Sequence, residues 1–426
     1  MKYPNTPEYL ESLPESVVQL YRDLEESILA DICRRFRLSG EATETAIEQI
    51  RILQRQGLPL ADIEQRIKST LELTDREFDE IFDRAVQRNQ EYYDYAIHKA
   101  DIAADTYRAD QMRQQIETIR RQTKADFVNL TQSMGFAIRS GGKTGFFPLA
   151  QGYQKVLDDA LIQVMSGAAD YNTAIRGAVR ALCESGIMTQ PEEAGWVDYY
   201  SKAADGTVTR HWRNRIDVAA RRAVMTGITQ LSAKYSEQAM EILDTRYVET
   251  TAHGGARDKG DDFRNHKKWQ GKWYYWSLHG EPDPLGKYPD FVRETGYGDV
   301  AGLCGANCRH GYYAVVPGVN EPTYTAGQLR DIDPPPFEYQ GKTYTAYEAT
   351  QKQRQIETRM RELKRRLIGL EASGDNKAYE ENAIRLRRLS REYKAFSGAA
   401  GLRTQPERAR VQGFGTREAA KARRNQ

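Results

Sequence analysis

The sequence has few cysteines and no long apolar run. Its 426 residues include 4 cysteines, Cys33, Cys183, Cys304 and Cys308, too few and too scattered for a disulfide framework. No segment approaches the roughly 18 consecutive apolar residues that a membrane span requires. The first residues also lack the cationic and then apolar pattern of a signal sequence. We therefore expect no membrane partner, no standard export route and a reducing folding environment.

Apolar character is low throughout. Apolar residues make up 39% of the chain and the mean hydropathy is -0.73, values typical of long solvated helices rather than of a compact enzyme. A chain of this length exceeds one ordinary core, so two or three structural regions are expected. No H-E-x-x-H motif, the usual source of a general base beside zinc, is present.

The net charge is close to zero, but it is unevenly distributed. The formal charge of +2 combines 20 Lys/Arg against 9 Asp/Glu from residue 351 onward (+11) with 42 against 51 in the rest (-9). A cationic tail can neutralise DNA phosphates, whereas the acidic body is repelled by them. The alternative is a solvated helix face with surplus arginine. The arginines expected to contact DNA are Arg385, Arg387, Arg388, Arg423 and Arg424.

The N-terminal third has helical periodicity. Apolar residues recur at three- and four-residue intervals from about residue 6 to 125, with breaks predicted at 38–40, 57–59 and 73–75. At the last break, Thr74 and Glu77 fit a capping box. Residues 137–144 resemble a relaxed phosphate-binding loop, but helical spacing precedes them and Phe-Phe-Pro follows. We predict a flexible linker there and no bound nucleotide.

Further helices are expected over 149–186 and about 213–243, followed by a change of character. Strands rich in β-formers are predicted at 246–252 and 310–317, with large aromatic residues between them. After a proline hinge at 333–336, heptad-type spacing predicts an antiparallel helical hairpin that breaks near residues 372–375. We expect disorder after Gly398. The predicted regions are 1–140 (N-terminal helical), 149–245 (middle helical), 246–322 (small α+β) and 337–426 (basic hairpin and tail).

A cluster of histidines and cysteines falls within the α+β region. Cys304, Cys308 and His310 lie in one Gly-rich turn, and His266 comes from an earlier segment. These are four ligands of the kind Zn²⁺ prefers, and a metal would stabilise a region of about 70 residues with a thin core. The alternative is free thiols in a packed turn, because C-x3-C-x-H is less specific than paired C-x-x-C motifs.

Several ordered motifs resemble the phage minor capsid protein 2 family. They are ETTAHGGAR at 249–257, HKKWQGK at 266–272, YPDF at 288–291, TGYG at 295–298 and CGANCRH at 304–310, with support from DVAARRAV at 217–224. The resemblance covers roughly residues 6–345. Its last module is also similar to Mu-F-like head morphogenesis proteins. The family's motif residues carried onto this chain are His253, Arg257, His266, Trp269, Gly271, Asn307, Cys308, Arg309 and His310.

The resemblance implies a mainly α protein with a small α+β module that acts as a structural component of a tailed-phage or prophage head. The expected location is the capsid interior near the portal, after assembly in the bacterial host cytoplasm. The expected partners are the portal protein, the major capsid or scaffolding protein, and double-stranded DNA without sequence preference. Cys304 is less fixed in the family pattern, so His253 is a substitute ligand for a structural zinc, and a site without metal stays open.

Two other functions compete with this one. A metal-dependent hydrolase or nuclease would place His253, Asp261, His266, Cys308 and His310 around a catalytic ion, which requires an open coordination position and a general base. A nucleic-acid-binding regulator would require a recognition motif that the chain lacks. The structural role without catalysis accounts for more of the sequence.

Overall fold

The computed structural model describes residues 3–40, 45–99, 106–140, 142–190, 200–202, 208–211, 214–305, 307–372, 375–411 and 413–415. The predicted fold class is confirmed, because this part of the chain is mainly α-helical with small antiparallel sheets. The helices are α1 (Pro7–Ser12), α2 (Glu15–Gly40), α3 (Ala46–Gln56), α4 (Leu60–Lys99), α5 (Thr106–Gln132), α6 (Leu149–Met165), α7 (Tyr171–Ser185), α8 (Ile216–Ile242), α9 (His266–Trp269), α10 (Phe291–Thr295), α11 (Ala326–Arg330), α12 (Ala346–Ala372), α13 (Asn376–Ala399) and the short 3-10 helix η1 (Pro406–Ala409).

The strands form one four-stranded sheet, one three-stranded sheet and two hairpins within the described ranges. They are β1 (Met134–Ser140), β2 (Lys143–Pro148), β3 (Met188–Thr189), β4 (Tyr200–Lys202), β5 (Val208–His211), β6 (Asn214–Arg215), β7 (Tyr247–Thr250), β8 (Trp273–Tyr275), β9 (Tyr312–Val315), β10 (Phe337–Tyr339) and β11 (Lys342–Tyr344). The sheet orders are β2-β1-β3-β6 and β8-β7-β9, and the hairpins are β4-β5 and β10-β11.

Contacts divide the chain into two units, each assembled from three separate segments. The first comprises Met1–Val17, Leu73–Val128 and Ala220–Thr350, and the second comprises Val18–Glu72, Asn129–Ala219 and Gln351–Gln426. This division does not test the four consecutive regions predicted from the sequence, which remain a prediction.

The first unit is built around the β8-β7-β9 sheet. Strand β7 pairs with β9 in antiparallel register, with Val248 opposite Ala314 and Thr250 opposite Tyr312, as the two predicted strands require. Burial of one sheet face against α8 and the adjoining loops excludes a large apolar area from water. This core consists of Ala233, Val248, Trp269, Tyr274, Phe291, Leu303, Cys308 and Tyr312.

The N-terminal segment completes the first unit. The ring of Tyr3 stacks on Tyr313 with centroids 4.0 Å apart, and its hydroxyl donates to the buried Glu249 carboxylate. Asn5 Nδ2 donates to Ser232 Oγ at 2.8 Å. The first residues of the chain therefore stabilise strands that lie more than 240 positions away in the sequence.

In the second unit, the predicted helical hairpin is confirmed. Helices α12 and α13 run antiparallel, since Lys352 pairs with Glu392 at 3.4 Å near one end and Arg366 donates to Asn382 at 3.2 Å near the other. The break falls where the sequence placed it. The predicted disorder after Gly398 is wrong for residues 399–411 and 413–415, because Gln405 N donates to Tyr393 Oη at 2.7 Å and Val411 is buried. Residues 412 and 416–426 lie outside the described residues.

The flexible linker predicted over residues 137–144 is also wrong. Strands β1 and β2 form a hairpin across this stretch, with Phe136 opposite Phe147 and Ser140 opposite Lys143. Met134, Phe136 and Ile138 are all buried, which is the two-residue period of a strand rather than a helical spacing. The hairpin leads into α6 only after β2, so it lacks the strand–loop–helix order of a phosphate-binding loop.

The helix break predicted at residues 73–75 does not occur. Helix α4 is continuous from Leu60–Lys99, and Thr74 is fully buried inside it. Thr74 and Glu77 therefore do not form a capping box. The polar residues at 74–77 match the pattern of a helix start, but no glycine or proline interrupts the segment. Burial in the tertiary structure therefore determines its conformation.

Candidate metal centre

The pairing of β7 with β9 brings two distant histidines together. Beyond the last paired residues, Thr251 N donates to Gly311 O and Gly311 N donates to Thr251 Oγ1, both at 2.9 Å. These bonds extend the alignment to His253 and His310, whose rings stack with centroids 4.4 Å apart. The pairing of the two predicted strands therefore places the Cys-His turn beside the His253 loop.

The turn before β9 is tightly constrained by backbone hydrogen bonds. Leu303 N donates to Thr295 O at 2.9 Å, and Cys308 N donates to Gly305 O at 3.0 Å. A Cβ atom at Gly302 would lie 2.0 Å from Gly296 O, so only glycine fits this position. Ala306 lies outside the described residues. The turn directs Cys308 into the core of the first unit.

Three side chains converge on one point. The Sγ atom of Cys308 lies 3.5 Å from Nδ1 of His310 and 3.8 Å from Nδ1 of His266. One potential ligand atom from each of the three residues lies within 4.8 Å of the other two. The exposed fractions are 4% for His266, 2% for Cys308 and 1% for His310. The cluster is therefore sealed from solvent.

In each of these two histidines, the ring nitrogen on the side away from Cys308 lies within hydrogen-bond distance of an acceptor oxygen. Nε2 of His266 lies 2.9 Å from Ala301 O, and Nε2 of His310 lies 3.0 Å from Gln270 Oε1. The oxygen of Gln270 is identified because it also accepts from the backbone N of His253 at 3.1 Å. Since both oxygens can only accept, each Nε2 carries the proton and each Nδ1 presents a lone pair to Cys308.

Burial determines the charge state of the cluster. It lowers the pKa of His266 to about 4, with a further lowering by Arg257, and holds the pKa of His310 well below its usual range. Burial raises the pKa of the Cys308 thiol to about 11. At neutral pH the cluster thus consists of two neutral imidazoles and a neutral thiol. The imidazoles are ready to bind a metal, and the thiol would lose its proton on binding.

Two predicted ligands lie beside this cluster rather than in it. Cys304 has a φ of 59°, and its Sγ lies 3.7 Å from His310 O, the same oxygen that Cys308 Sγ approaches at 3.9 Å. His253 has its Nδ1 2.8 Å from Gly254 O and 3.3 Å from Nη2 of Arg309. Neither belongs to the compact three-residue group within the described ranges.

The structural motif residues surround the cluster. Trp269 is buried against both histidines: its ring centroid lies 4.7 Å from that of His266 and 4.8 Å from that of His310. Its Nε1 donates to Phe263 O at 2.7 Å. Arg257 donates to Ala301 O at 3.1 Å, the oxygen that also binds His266. Arg309 pairs with Glu11 of α1.

Two further motif residues fix the backbone. Gly271 has a φ of 67°, and a Cβ there would lie 2.4 Å from Leu329 Cδ2. Asn307 has a φ of 61°, in the left-handed region that asparagine tolerates. Gln270 was not singled out from the sequence, although it lies inside the HKKWQGK motif at 266–272, which is the signal that could have found it.

One known protein family matches nearly the whole chain. The family model described as phage minor capsid protein 2 matches residues 6–397. The chain belongs to the phage minor capsid protein 2 family. No match was found among curated proteins or among solved structures.

This minor capsid protein is therefore a structural protein of the phage head, and its family implies a location in the virion. The match extends beyond the 6–345 range of the sequence resemblance, through most of the α12–α13 hairpin. None of the described helices is both long enough and apolar enough to cross a membrane.

The arginines predicted to contact DNA fall on or after α13 of the minor capsid protein. Arg385 and Arg388 are exposed, and Arg387 is half-buried. Residues three apart lie on one side of a helix, so Arg385 and Arg388 share a surface. Arg423 and Arg424 lie outside the described residues.

Proposed function

We propose that this minor capsid protein is a non-catalytic component of the portal vertex that contacts packaged DNA and whose first unit is stabilised by a structural zinc ion. The family match over residues 6–397 carries the proposal, since it assigns the chain to the phage head. The portal location, the DNA contact and the metal are the steps that we add.

The donor set supports zinc. Two imidazole nitrogens and one thiolate sulfur are ligands that Zn²⁺ accepts in tetrahedral structural sites, which take four ligands. Cys304 is a candidate for the fourth ligand, because its Sγ and that of Cys308 approach the same carbonyl oxygen. Bound zinc would hold the turn at residues 302–310 to α9 and stabilise a small aromatic core.

A hydrolase or nuclease is less well supported by the same site. A catalytic zinc keeps an open position for water and substrate, whereas His266, Cys308 and His310 are at most 4% exposed. Asp261, which this alternative places beside the catalytic ion, is fully exposed and pairs with Lys268 at 3.2 Å. Within the described ranges, no carboxylate joins the three-residue cluster. Nuclease and peptidase assays that compare the wild type with Cys308→Ala would detect any catalytic activity that depends on this site.

The charge distribution of the hairpin supports DNA contact. Arg361 and Arg365 are buried and neutralise Asp217 and Glu25, so they do not contribute to the surface charge. Arg385 and Arg388 remain exposed on α13. Exposed cationic side chains bind phosphates with release of counterions, which predicts salt-sensitive binding without sequence preference.

DNA binding tests this part of the proposal. We expect Arg385→Ala/Arg388→Ala, combined with removal of residues 416–426, to weaken binding to duplex DNA at low salt. The salt dependence of log K should also become shallower, by about 0.9 for each lost phosphate contact. The truncation keeps residues 402–411, which pack on the hairpin. Fluorescence anisotropy at several salt concentrations provides the measurement.

The matched control for this experiment is Arg293→Ala/Arg330→Ala. Both arginines are exposed and lie in the first unit, on α10 and α11. We expect this pair to leave both the affinity and the salt dependence close to those of the wild type. Equal effects of the two double substitutions, or unchanged binding in the truncated variant, would reject the proposed DNA surface.

Portal association is tested in assembled particles. We expect the protein to be present in purified heads at low copy number, to co-purify with the portal protein, and to contribute density at one vertex in asymmetric reconstructions. Even distribution over all vertices would contradict the portal location. Absence from purified heads would contradict the structural role itself.

A further inference from the structure

A second pair of thiols lies in the second unit. Cys33 on α2 and Cys183 on α7 have their Sγ atoms 3.9 Å apart, although they lie 150 positions apart in the sequence. Both are free and buried, with exposed fractions of 3% and 2%. Because the chain has only 4 cysteines, such an approach of two of them calls for a physical reason.

Helix α12 has a glycine, Gly369, where it packs against these sulfurs. A Cβ atom at Gly369 would lie 3.0 Å from Cys183 Sγ, 3.6 Å from Cys33 Sγ and 2.6 Å from Val179 Cγ1. Glycine inside a helix is destabilising relative to alanine. The contact explains why glycine occupies this position, since alanine would press on Val179 and on the nearer thiol.

We propose that Cys33 and Cys183 form a reversible disulfide that joins α2 to α7 when the protein meets a small-molecule disulfide oxidant. One thiolate attacks the oxidant and forms a mixed disulfide, releasing one small thiol. The second cysteine then attacks the protein sulfur and releases the other small thiol. Two protein thiols are thereby oxidised, and one oxidant disulfide is reduced to two thiols.

The burial of the pair determines when this reaction occurs. The thiolate is the attacking species, and the neighbouring Cys183 thiol, followed by burial, raises the pKa of Cys33, so attack requires local opening of the helices. The pair therefore stays reduced in the cytosol during assembly. It oxidises slowly once a particle leaves the reducing compartment. This timing depends on the virion location and not on zinc or on the portal.

The test is an equilibrium one on the full-length protein in glutathione buffers of defined ratio. Equilibrium is approached both from the reduced protein and from protein oxidised while unfolded in urea and then refolded. Peptide mapping measures the fraction of protein that carries the Cys33–Cys183 disulfide. We expect the effective concentration of the two thiols toward each other to be at least about tenfold higher in native protein than in urea. A disulfide that is favoured by the native fold stabilises that fold in return, so the oxidised wild type then unfolds at a higher urea concentration than the reduced one.

Variants separate this effect from oxidation at Cys304 and Cys308. Cys183→Ala, treated identically, should give no shift in its urea midpoint, and the wild type should keep two of its four thiols free. An effective concentration in native protein equal to or below that in urea would overturn the proposal. So would a disulfide that lowers the urea midpoint. Either result would leave the zinc and portal proposals untouched.

Discussion

Asp217→Asn is expected to lower the free energy of unfolding of the second unit by about 3–5 kcal/mol, because it leaves buried guanidinium groups without their counter-charge. Asp217 is 2% exposed and lies in the first turn of α8. It accepts from Arg361 and, at 3.2 Å, from Arg22, and lies 3.9 Å from Arg215. Urea denaturation followed by circular dichroism measures the loss.

The matched control for Asp217 is Asp31→Asn. Asp31 lies on α2 and pairs with Arg35 at 3.3 Å, but both side chains are partly exposed. A pair of this kind contributes less than about 1 kcal/mol. Equal losses in the two variants would show that the buried network does not hold the second unit together.

The pH dependence gives a further check on Asp217. Burial alone would raise its pKa, but Arg361, Arg215 and Arg22 together hold the pKa well below its usual range. A carboxylate with a depressed folded-state pKa contributes stability that is present above its unfolded pKa of about 4 and is lost as the pH falls below that value. The difference between the wild type and Asp217→Asn should therefore be constant near neutrality and shrink in acid.

Sequence patterns predicted the apolar face of α12 but not the buried charge pairs of this network. The spacing of Ile356, Met360, Leu363, Leu367 and Leu370 predicts one apolar face of α12, and all of these residues are buried except Leu363, which is half-buried. Arg361 and Arg365 occur four residues apart on the same helix, a pattern that is typical of a solvated face. Their partners, Asp217 and Glu25, come from segments more than 140 positions away. Only the fold can show that these charges are buried and paired.

Local signals predicted the centre of the candidate site well. Strong β-formers fixed the strands before His253 and after His310, and antiparallel pairing then brought the two histidines together. Spacing alone could not show that Cys304 lies beside the cluster, because its position depends on the positive φ that it adopts in the turn. Nor could it reveal that Gln270 and Ala301 orient the two imidazoles.

Zinc binding is expected to have a large effect on the first unit. The wild type should bind one Zn²⁺ per chain, and zinc at about 100 times its Kd should stabilise the fold by about 2.7 kcal/mol. Cys308→Ser should abolish this gain, because the thiolate is the charged ligand among three buried donors. Binding should also release one proton from the Cys308 thiol, which is neutral without metal, and a second proton if the Cys304 sulfur completes the tetrahedron, because burial raises the pKa of that thiol too. Metal analysis after dialysis and thermal unfolding with and without chelator measure these effects.

Histidine substitutions show whether the effect belongs to this cluster. His266→Ala removes a donor at the centre, whereas His279→Ala removes an exposed histidine from the loop after β8. We expect the first variant to lose zinc and the second to keep it, with circular dichroism showing that both fold. Cys304→Ser examines the fourth position, and partial loss of affinity is expected if its sulfur completes the tetrahedron. If His266→Ala and His279→Ala retain zinc equally, the ion binds elsewhere and the buried cluster is a packed turn.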